Sequence, residues 1–251
     1  MRRWKLMGGS FALFFAVAFS ANAQVGMPNI FGPFNPHTDS QLNENFAYVA
    51  DAHVVYVNPD PAGPHASGAR LLDAVDPGNL AGIAGPPAPD NQYLIVVRPG
   101  DYDLDKKTLH LRPYVHILGS GIGVTRLISY ARVAVLGEYD SSIRSLSLYQ
   151  KTSGPSVAIL LESGYPGPFR IGNVEVQAET DEFARGILTQ GATNLFLRDS
   201  RMLVRADKIA RGIDANHETG SRCGDLESVE VVGRLPSSFP AHEVRAAARR
   251  G

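Results

Sequence analysis

A short apolar pattern returns four times between Ile143 and Val231 at nearly constant spacing. Its anchors are pairs of alternating apolar residues. The pairs are Leu146/Leu148, Val174/Val176, Met202/Val204 and Val229/Val231. They follow one another every ~28 residues, a fixed period in the range that is typical of repeat architectures. Further short apolar segments lie between the anchors, so each repeat holds two or three strands and no helix-length pattern.

Strands this short cannot bury a hydrophobic face alone. If the chain coils once per repeat, each strand lies parallel to its predecessor at about 4.8 Å, and the inward side chains stack into a continuous core. The chain also lacks the Asn-Gly and Asp-Gly pairs that are typical of the hairpins of an antiparallel sandwich. The sequence therefore predicts an all-β, right-handed, single-stranded parallel β-helix. The handedness follows the general preference of parallel crossovers.

The chain divides into four segments by composition. Its first residues combine a basic start, an apolar core too short to span a bilayer comfortably, and the small-x-small site Ala21-Asn-Ala23, which together are typical of a secretory signal. The segments are a signal peptide at 1–23, a Pro/Gly/Asn-rich leader at 24–50, the β-helix domain at 51–235, and a polar basic tail at 236–251. This organisation predicts an exported periplasmic or extracellular protein without a membrane span.

Two short helices and a loop are expected outside the repeated strands. Ser67 is placed to cap a short helix over Gly68–Val75, whose apolar stripe would cover the open end of the coils. The stretch Pro77–Pro89 is typical of a loop by composition. Residues 242–250 are a candidate terminal helix in the basic tail.

Composition excludes several kinds of site. Cys223 is the only cysteine, so neither an intramolecular disulfide nor a multi-thiolate zinc site can form. The chain has 24 Lys and Arg against 25 Asp and Glu, which argues against a nucleic-acid partner because such binding leaves a basic footprint. His110 and His116 occupy different strand positions without an evident third ligand. We therefore predict no metal and no cofactor.

The early strands resemble a known family. The run Tyr93–Val97 ends in Arg-Pro-Gly-Asp-Tyr, and Val115-His-Ile-Leu-Gly-Ser-Gly121 and Thr125–Ile128 follow. This order resembles the opening coils of the pectin lyase-like right-handed β-helix superfamily, most of all its pectin methylesterase branch. The similar region covers roughly residues 54–235.

The resemblance implies an aspartate nucleophile, a second aspartate as acid/base, glutamines that hold the oxyanion, and an orienting arginine. Ser156 stands where the family would open a strand with glutamine, and Arg201–Val204 has no counterpart of the nucleophile motif. Loss of an oxyanion donor can raise a reaction barrier by about 3 to 4 kcal/mol. These departures favour a protein without that catalytic activity.

One pair of carboxylates could nevertheless support chemistry. Glu179 and Asp207 are one repeat period apart and each follows an alanine, so this register would stack them on adjacent coils about 5 Å apart. Carboxylates that close can split their pKa values into an acid and a base. Arg205 would then lie beside Gln177 and could bind a uronate. The alternative is that both acids occupy solvated turns.

Two arginines form a second candidate site. Arg185 and Arg211 both lie in an Ala-Arg-Gly-Ile sequence, which predicts that they stack on neighbouring coils. Two guanidinium groups in line suit a polymer of carboxylates. The alternative is that each arginine pairs with a nearby acid, such as Glu182 or Asp207. Separately, Ser145, Asn173 and Ser228 align at the turn before each anchor strand and predict a structural polar ladder.

Three hypotheses follow. The first is an exported, non-catalytic β-helix protein that binds an acidic polysaccharide or a cell-surface partner. The second is a carbohydrate-active enzyme, a pectin methylesterase or a polysaccharide lyase, that works through Glu179, Asp207 and Arg205. The third is a shaft that assembles as a trimer.

Overall fold

The structure is a computed structural model that describes residues 52–162, 167–190, 194–216, 223–227, 229–234 and 244–248. From Ala215 onward the description covers the backbone alone. The expected signal peptide and leader, Ser228, and most of the basic tail lie outside the described residues.

Short strands make up most of the described chain, and two helices interrupt them near its start. The helices are α1 (Pro64–Val75) and α2 (Pro77–Ala84). The strands are β1 (His53–Val57), β2 (Tyr93–Val97), β3 (Gly100–Asp103), β4 (Leu109–Leu111), β5 (Val115–Leu118), β6 (Thr125–Ser129), β7 (Val133–Gly137), β8 (Ser141–Thr152), β9 (Ser156–Leu161), β10 (Pro168–Thr180), β11 (Phe183–Gln190), β12 (Asn194–Arg198), β13 (Arg201–Ala206), β14 (Ile209–Asn216), β15 (Cys223–Glu227), β16 (Val229–Arg234) and β17 (Val244–Ala248). Neither helix of the described part is long and apolar enough to cross a membrane.

The strands form two sheets. The larger sheet runs β1-β2-β5-β8-β10-β13-β16-β17, with β3, β6, β12 and β15 paired alongside this path. The smaller sheet runs β14-β11-β9-β7-β4. Every pairing between named strands is parallel except that of β16 with β17. The chain therefore coils as a parallel β-solenoid of about four turns, which confirms the predicted fold class.

The core consists of inward side chains stacked from coil to coil. Ile143 lies opposite Ile171, and Ile159 lies opposite Ile187 in the other sheet. These residues are buried and belong to one apolar cluster that extends back to Leu71 of α1. Since each coil alone is too thin to exclude water, burial arises from stacking, at roughly 25 cal/mol per Å² of apolar surface removed from water.

A polar residue with a left-handed backbone lies within β8, within β10 and between β12 and β13. Ser145, Asn173 and Asp199 have φ values of 54°, 53° and 48°, a left-handed conformation that short polar residues tolerate. Asn173 Nδ2 donates a hydrogen bond of 3.3 Å to Ser145 Oγ on the preceding coil. The predicted polar ladder is confirmed for Ser145 and Asn173.

Helix α1 begins earlier than predicted. Gly63 is its N-cap and Pro64 occupies the first turn, where proline is favoured. Ser67 lies inside the helix, and its Oγ donates to the carbonyl of Gly63 at 2.9 Å, so the prediction of a Ser67 cap was wrong. Leu71 and Val75 are buried, as the apolar stripe requires.

Helix α2 lies in a stretch that we predicted to be a loop. Asp76 caps it, and its Oδ1 accepts hydrogen bonds from the backbone N–H groups of Gly78 and Asn79 at 2.9 and 3.1 Å. Pro77 starts the first turn and Leu80 is buried. The stretch was predicted to be a loop because it is rich in small residues and prolines, although Asp76-Pro77 is a favourable start for a helix.

The predicted register holds for one pair of coils and fails for the next. Val176 lies opposite Leu148 on the preceding coil, as predicted. Val176 also lies opposite Met202 on the following coil, whereas the prediction paired Val174 with Met202. Because side chains alternate between faces with a period of two, a slip of one such period keeps every apolar residue inside. The hydrophobic pattern therefore could not detect this error.

The carboxyl end differs from the expected helix. Residues Val244–Ala248 form β17, which pairs antiparallel with β16. The solenoid sheet thus ends on a reversed strand, and the helix predicted for 242–250 is wrong over this range.

Candidate functional site

The outer face of the larger sheet carries an open groove of about 290 Å³. It crosses four neighbouring strands, β6, β8, β10 and β13. Its lining residues are Arg126, Ile128, Tyr130, Tyr149, Gln150, Lys151, Gln177, Ala178, Glu179, Leu203 and Arg205. Most of these side chains point outward because their neighbours along each strand point into the core.

Strand register sorts the groove into two rows that run along the solenoid axis. The first, which we call the uncharged row, consists of Ile128, Tyr149, Gln177 and Leu203, each opposite the next. The second, which we call the charged row, consists of Lys151, Glu179 and Arg205. Adjacent members of a row are separated by one strand spacing, about 4.8 Å.

The charged row contains two cations and one carboxylate. Lys151 Nζ lies 3.9 Å from Glu179 Oε2, with both side chains more than half exposed, so this ion pair is weak. Among the residues with described side chains, no carboxylate lies within ion-pair distance of the exposed Arg205. Within that part of the chain, its guanidinium N–H groups are available to a ligand.

Arg126 differs from these two cations. Its Nε and Nη2 bind both carboxylate oxygens of Asp101 at 2.5 and 2.6 Å. A fork-to-fork pair of this kind holds the guanidinium in place and uses its strongest donors. Arg126 therefore forms a fixed edge of the groove, while Lys151 and Arg205 supply its available positive charge.

Two tyrosines give the groove flat apolar surface. Tyr149 lies in the uncharged row between Ile128 and Gln177. Tyr130 directly follows β6, whose last residue, Ser129, lies opposite Gln150, the residue before Lys151. Tyr130 is 43% exposed. Exposed tyrosines combine a flat face with a polar hydroxyl, so they can cover an apolar ligand surface and still hydrogen-bond at its edge.

The predicted carboxylate stack does not form. Glu179 lies opposite Arg205, and Gln177 lies opposite Leu203, because this coil is shorter than the repeat period assumed. Asp207 follows the end of β13 and does not line the groove. Glu179 and Arg205 thus lie in one site. The predicted register was wrong, because it paired Glu179 with Asp207 and Arg205 with Gln177.

The predicted arginine stack does form. Arg185 and Arg211 lie opposite each other on β11 and β14 of the smaller sheet. Arg185 Nε and Arg211 Nη1 both donate to Asp214 Oδ2, at 2.7 and 2.9 Å. Burial acts to raise the pKa of Asp214, but the hydrogen bonds and charges of the two arginines outweigh it and lower the pKa overall. Part of the arginines' positive charge is therefore already balanced.

A second polar cluster surrounds His116. Its Nε2 lies 3.1 Å from Gln92 Oε1, and its Nδ1 lies 3.0 Å from Ser142 Oγ. Burial, and to a smaller extent the charges of Arg144 and Arg170, lower the pKa of His116 to about 4. The imidazole is therefore neutral near pH 7, with Nε2 donating to the amide oxygen and Nδ1 accepting from the hydroxyl. Both His116 and Ser142 are buried, so this cluster is structural.

His110, the other histidine considered as a metal ligand, lies on β4 of the smaller sheet. His110 Nε2 and Arg112 Nη1 both contact Glu138 Oε1, at 2.6 and 2.9 Å. His110 and His116 thus have separate partners on separate sheets. In the part of the chain with described side chains, no group of three His, Cys, Asp or Glu residues is arranged to hold a metal ion.

Sequence reasoning missed most of the groove, although one signal was present. The correctly predicted offset between β8 and β10 already places Tyr149 beside Gln177 and Lys151 beside Glu179. Alternation along the strands marks all four as outward. Arg205 could be assigned to the same site only with the correct register between β10 and β13. Aligning the left-handed residues Asn173 and Asp199 gives that register.

Comparison of the chain with protein-family models, with curated proteins and with solved structures finds no match. Function is therefore inferred from the groove and from the chemistry of the side chains that line it.

Proposed function

We propose that the protein is exported and, without catalysing a reaction, binds a carboxylate-bearing polysaccharide in the groove on the outer face of its larger sheet. The observation that carries this proposal is the pairing of Arg205, which has unused donors, and Lys151 with Tyr130 and Tyr149 in one elongated groove. Cations bind carboxylates, and tyrosine rings cover the less polar faces of sugar rings.

Two sequence features support the same conclusion. The start of the chain is typical of a secretory signal, which would bring the protein to the polysaccharides outside the cytoplasm. The resemblance of the opening coils to the pectin lyase-like superfamily implies an acidic polysaccharide as the ligand class. The absence of the family's catalytic motifs from the matching positions favours binding over turnover.

The arginine pair on the smaller sheet is a weaker candidate for the same ligand. Arg185 and Arg211 already share the carboxylate of Asp214. An incoming carboxylate would have to compete with an acid whose charged form the arginines stabilise. Arg205 faces no such competitor within ion-pair distance among the described side chains, so the groove on the larger sheet is the better site.

The proposal is tested by titration calorimetry of the mature protein with polygalacturonate, alginate and hyaluronan at about 0.1 M salt, where exposed charges more than about 10 Å apart are screened. We expect at least one polymer to bind. Arg205→Gln should weaken that binding roughly tenfold, the effect of losing about 1.4 kcal/mol. Arg70→Gln is the matched control, because Arg70 is a half-exposed cation on α1 outside the groove.

If wild-type protein and Arg205→Gln bind the polysaccharide with equal affinity, the groove is not the binding site. The enzymatic alternative is tested in the same samples, by methanol release and by the absorbance of unsaturated products. Turnover that is lost in Glu179→Gln would replace the binding proposal with an enzyme. We expect no turnover.

A further inference from the structure

We infer that the groove selects a polysaccharide in which carboxylate-bearing and neutral sugars alternate, and that Glu179 imposes this choice. The inference rests on the proposed function, since it specifies the ligand class of the same groove. It starts from the order of charges along the charged row, which is positive at Lys151, negative at Glu179 and positive at Arg205.

The shape of the groove sets the direction of a bound chain. The groove crosses four strands, which is roughly 14 Å along the solenoid axis, but it is mainly two outward rows wide, roughly 7 Å along a strand. An extended polymer therefore lies along the axis. In that direction it meets one member of each row per coil.

The distance between the two cations is close to the distance between every second sugar of a bound chain. Lys151 and Arg205 are two coils apart, roughly 9.6 Å between their strands. This separation is close to the length of one disaccharide unit in an extended polysaccharide. A chain with a carboxylate on alternate sugars can place one carboxylate at each cation. The sugar between them faces Glu179, whose carboxylate accepts hydrogen bonds from hydroxyl or amide N–H groups.

A homopolymer of uronates meets a different surface. If its successive carboxylates all face the sheet and two of them lie at Lys151 and Arg205, the carboxylate between them faces Glu179. Like charges placed opposite each other are destabilising. The ion pair with Lys151 neutralises Glu179 only in part, because Lys151 Nζ is 3.9 Å away and both side chains are exposed. Specificity thus comes from one repulsive group between two attractive ones.

The experiment compares a hyaluronan octasaccharide, in which glucuronate alternates with N-acetylglucosamine, with octagalacturonate. Attraction by net charge alone would favour octagalacturonate, which carries twice as many carboxylates. Repulsion at Glu179 predicts the opposite order, with the alternating ligand binding roughly fivefold or more tightly. Glu179→Gln should tighten octagalacturonate binding by a similar factor and leave the alternating ligand unimproved.

Glu162→Gln is the matched control, because Glu162 is an exposed carboxylate at the end of β9 and does not line the groove. It should leave the preference unchanged. If octagalacturonate binds wild-type protein at least as tightly as the alternating ligand and Glu179→Gln changes neither affinity, the inference is overturned while the proposed function stands. If the wild-type protein binds neither these ligands nor the longer polymers, the proposed function itself is overturned.

Discussion

At the scale of single residues, His116 makes the clearest link between burial and behaviour. Its side chain is only 5% exposed, and both ring nitrogens have neutral hydrogen-bond partners, Gln92 and Ser142. The positive charges of Arg144 and Arg170 oppose protonation as well. The fold therefore holds an imidazole in its neutral form by desolvation first and by charge second.

This arrangement predicts a pH-dependent stability. The pKa of His116 is about 4 in the folded protein and 6.5 when the chain is unfolded, so the unfolded chain binds more protons between these values. The contribution of His116 is fully present above pH 6.5 and is lost as the pH falls toward 4, up to about 3 kcal/mol. Urea unfolding at pH 7.5 and 4.5 measures this loss.

His116→Gln provides the comparison, because glutamine keeps hydrogen-bonding groups and does not titrate. Carboxylates that titrate in the same range affect both proteins equally. The wild-type free energy of unfolding should therefore fall more steeply with acid than that of the variant. Parallel curves would show that the folded state does not lower the pKa of His116.

At the scale of elements, the covering helix depends on close approach to the first coil. A Cβ atom added at Gly68 of α1 would lie 1.8 Å from the carbonyl oxygen of Asp103 on β3. No side-chain rotation can relieve a clash with backbone. Leu71 and Val75 lie on the same apolar stripe, so a displaced helix would also expose part of the core.

Gly68→Ala is therefore expected to destabilise the protein by about 3 kcal/mol, even though alanine is the better helix former. Gly82→Ala is the matched control, because Gly82 of α2 has open space around its Cα. That variant should be neutral or slightly more stable. Thermal unfolding of both variants measures the difference. Equal midpoints would contradict the close packing of α1 on β3.

The elements also show how far sequence reasoning reaches. Alternation and repeat spacing predicted the strands, the parallel pairing and the stack of Arg185 on Arg211. They did not predict the shorter coil between β10 and β13, because a slip by one full side-chain alternation leaves the inward face unchanged. The left-handed bend residues Asn173 and Asp199 mark that register, but an aspartate before a serine also reads as an ordinary turn.

That register error decided the chemistry of the predicted site. It placed Glu179 against another carboxylate and suggested an acid/base pair. The structure places Glu179 against Arg205 instead, between two cations of one row. A hypothesis about catalysis thus became a hypothesis about binding once the register was known. Residue type alone could not distinguish the two.

At the scale of the whole molecule, the solenoid repeats its outward positions at a fixed distance. Each coil adds one residue to each row, about 4.8 Å from the last, so the larger sheet presents a surface with the periodicity of an extended polymer. The two tyrosines and two available cations lie together in the groove. The central claim is that this face, and not the smaller sheet, holds the ligand.

Hydroxyl-radical footprinting of the protein, with and without the tightest polysaccharide of the calorimetric series, tests that claim most directly. We expect the ligand to protect Tyr130 and Tyr149 from oxidation. Tyr56 should remain reactive, because it is 52% exposed on β1 outside the groove. Unchanged oxidation of Tyr130 and Tyr149, with protection of Phe183 and Ile209 beside the arginine pair, would contradict the account and move the binding site to the smaller sheet.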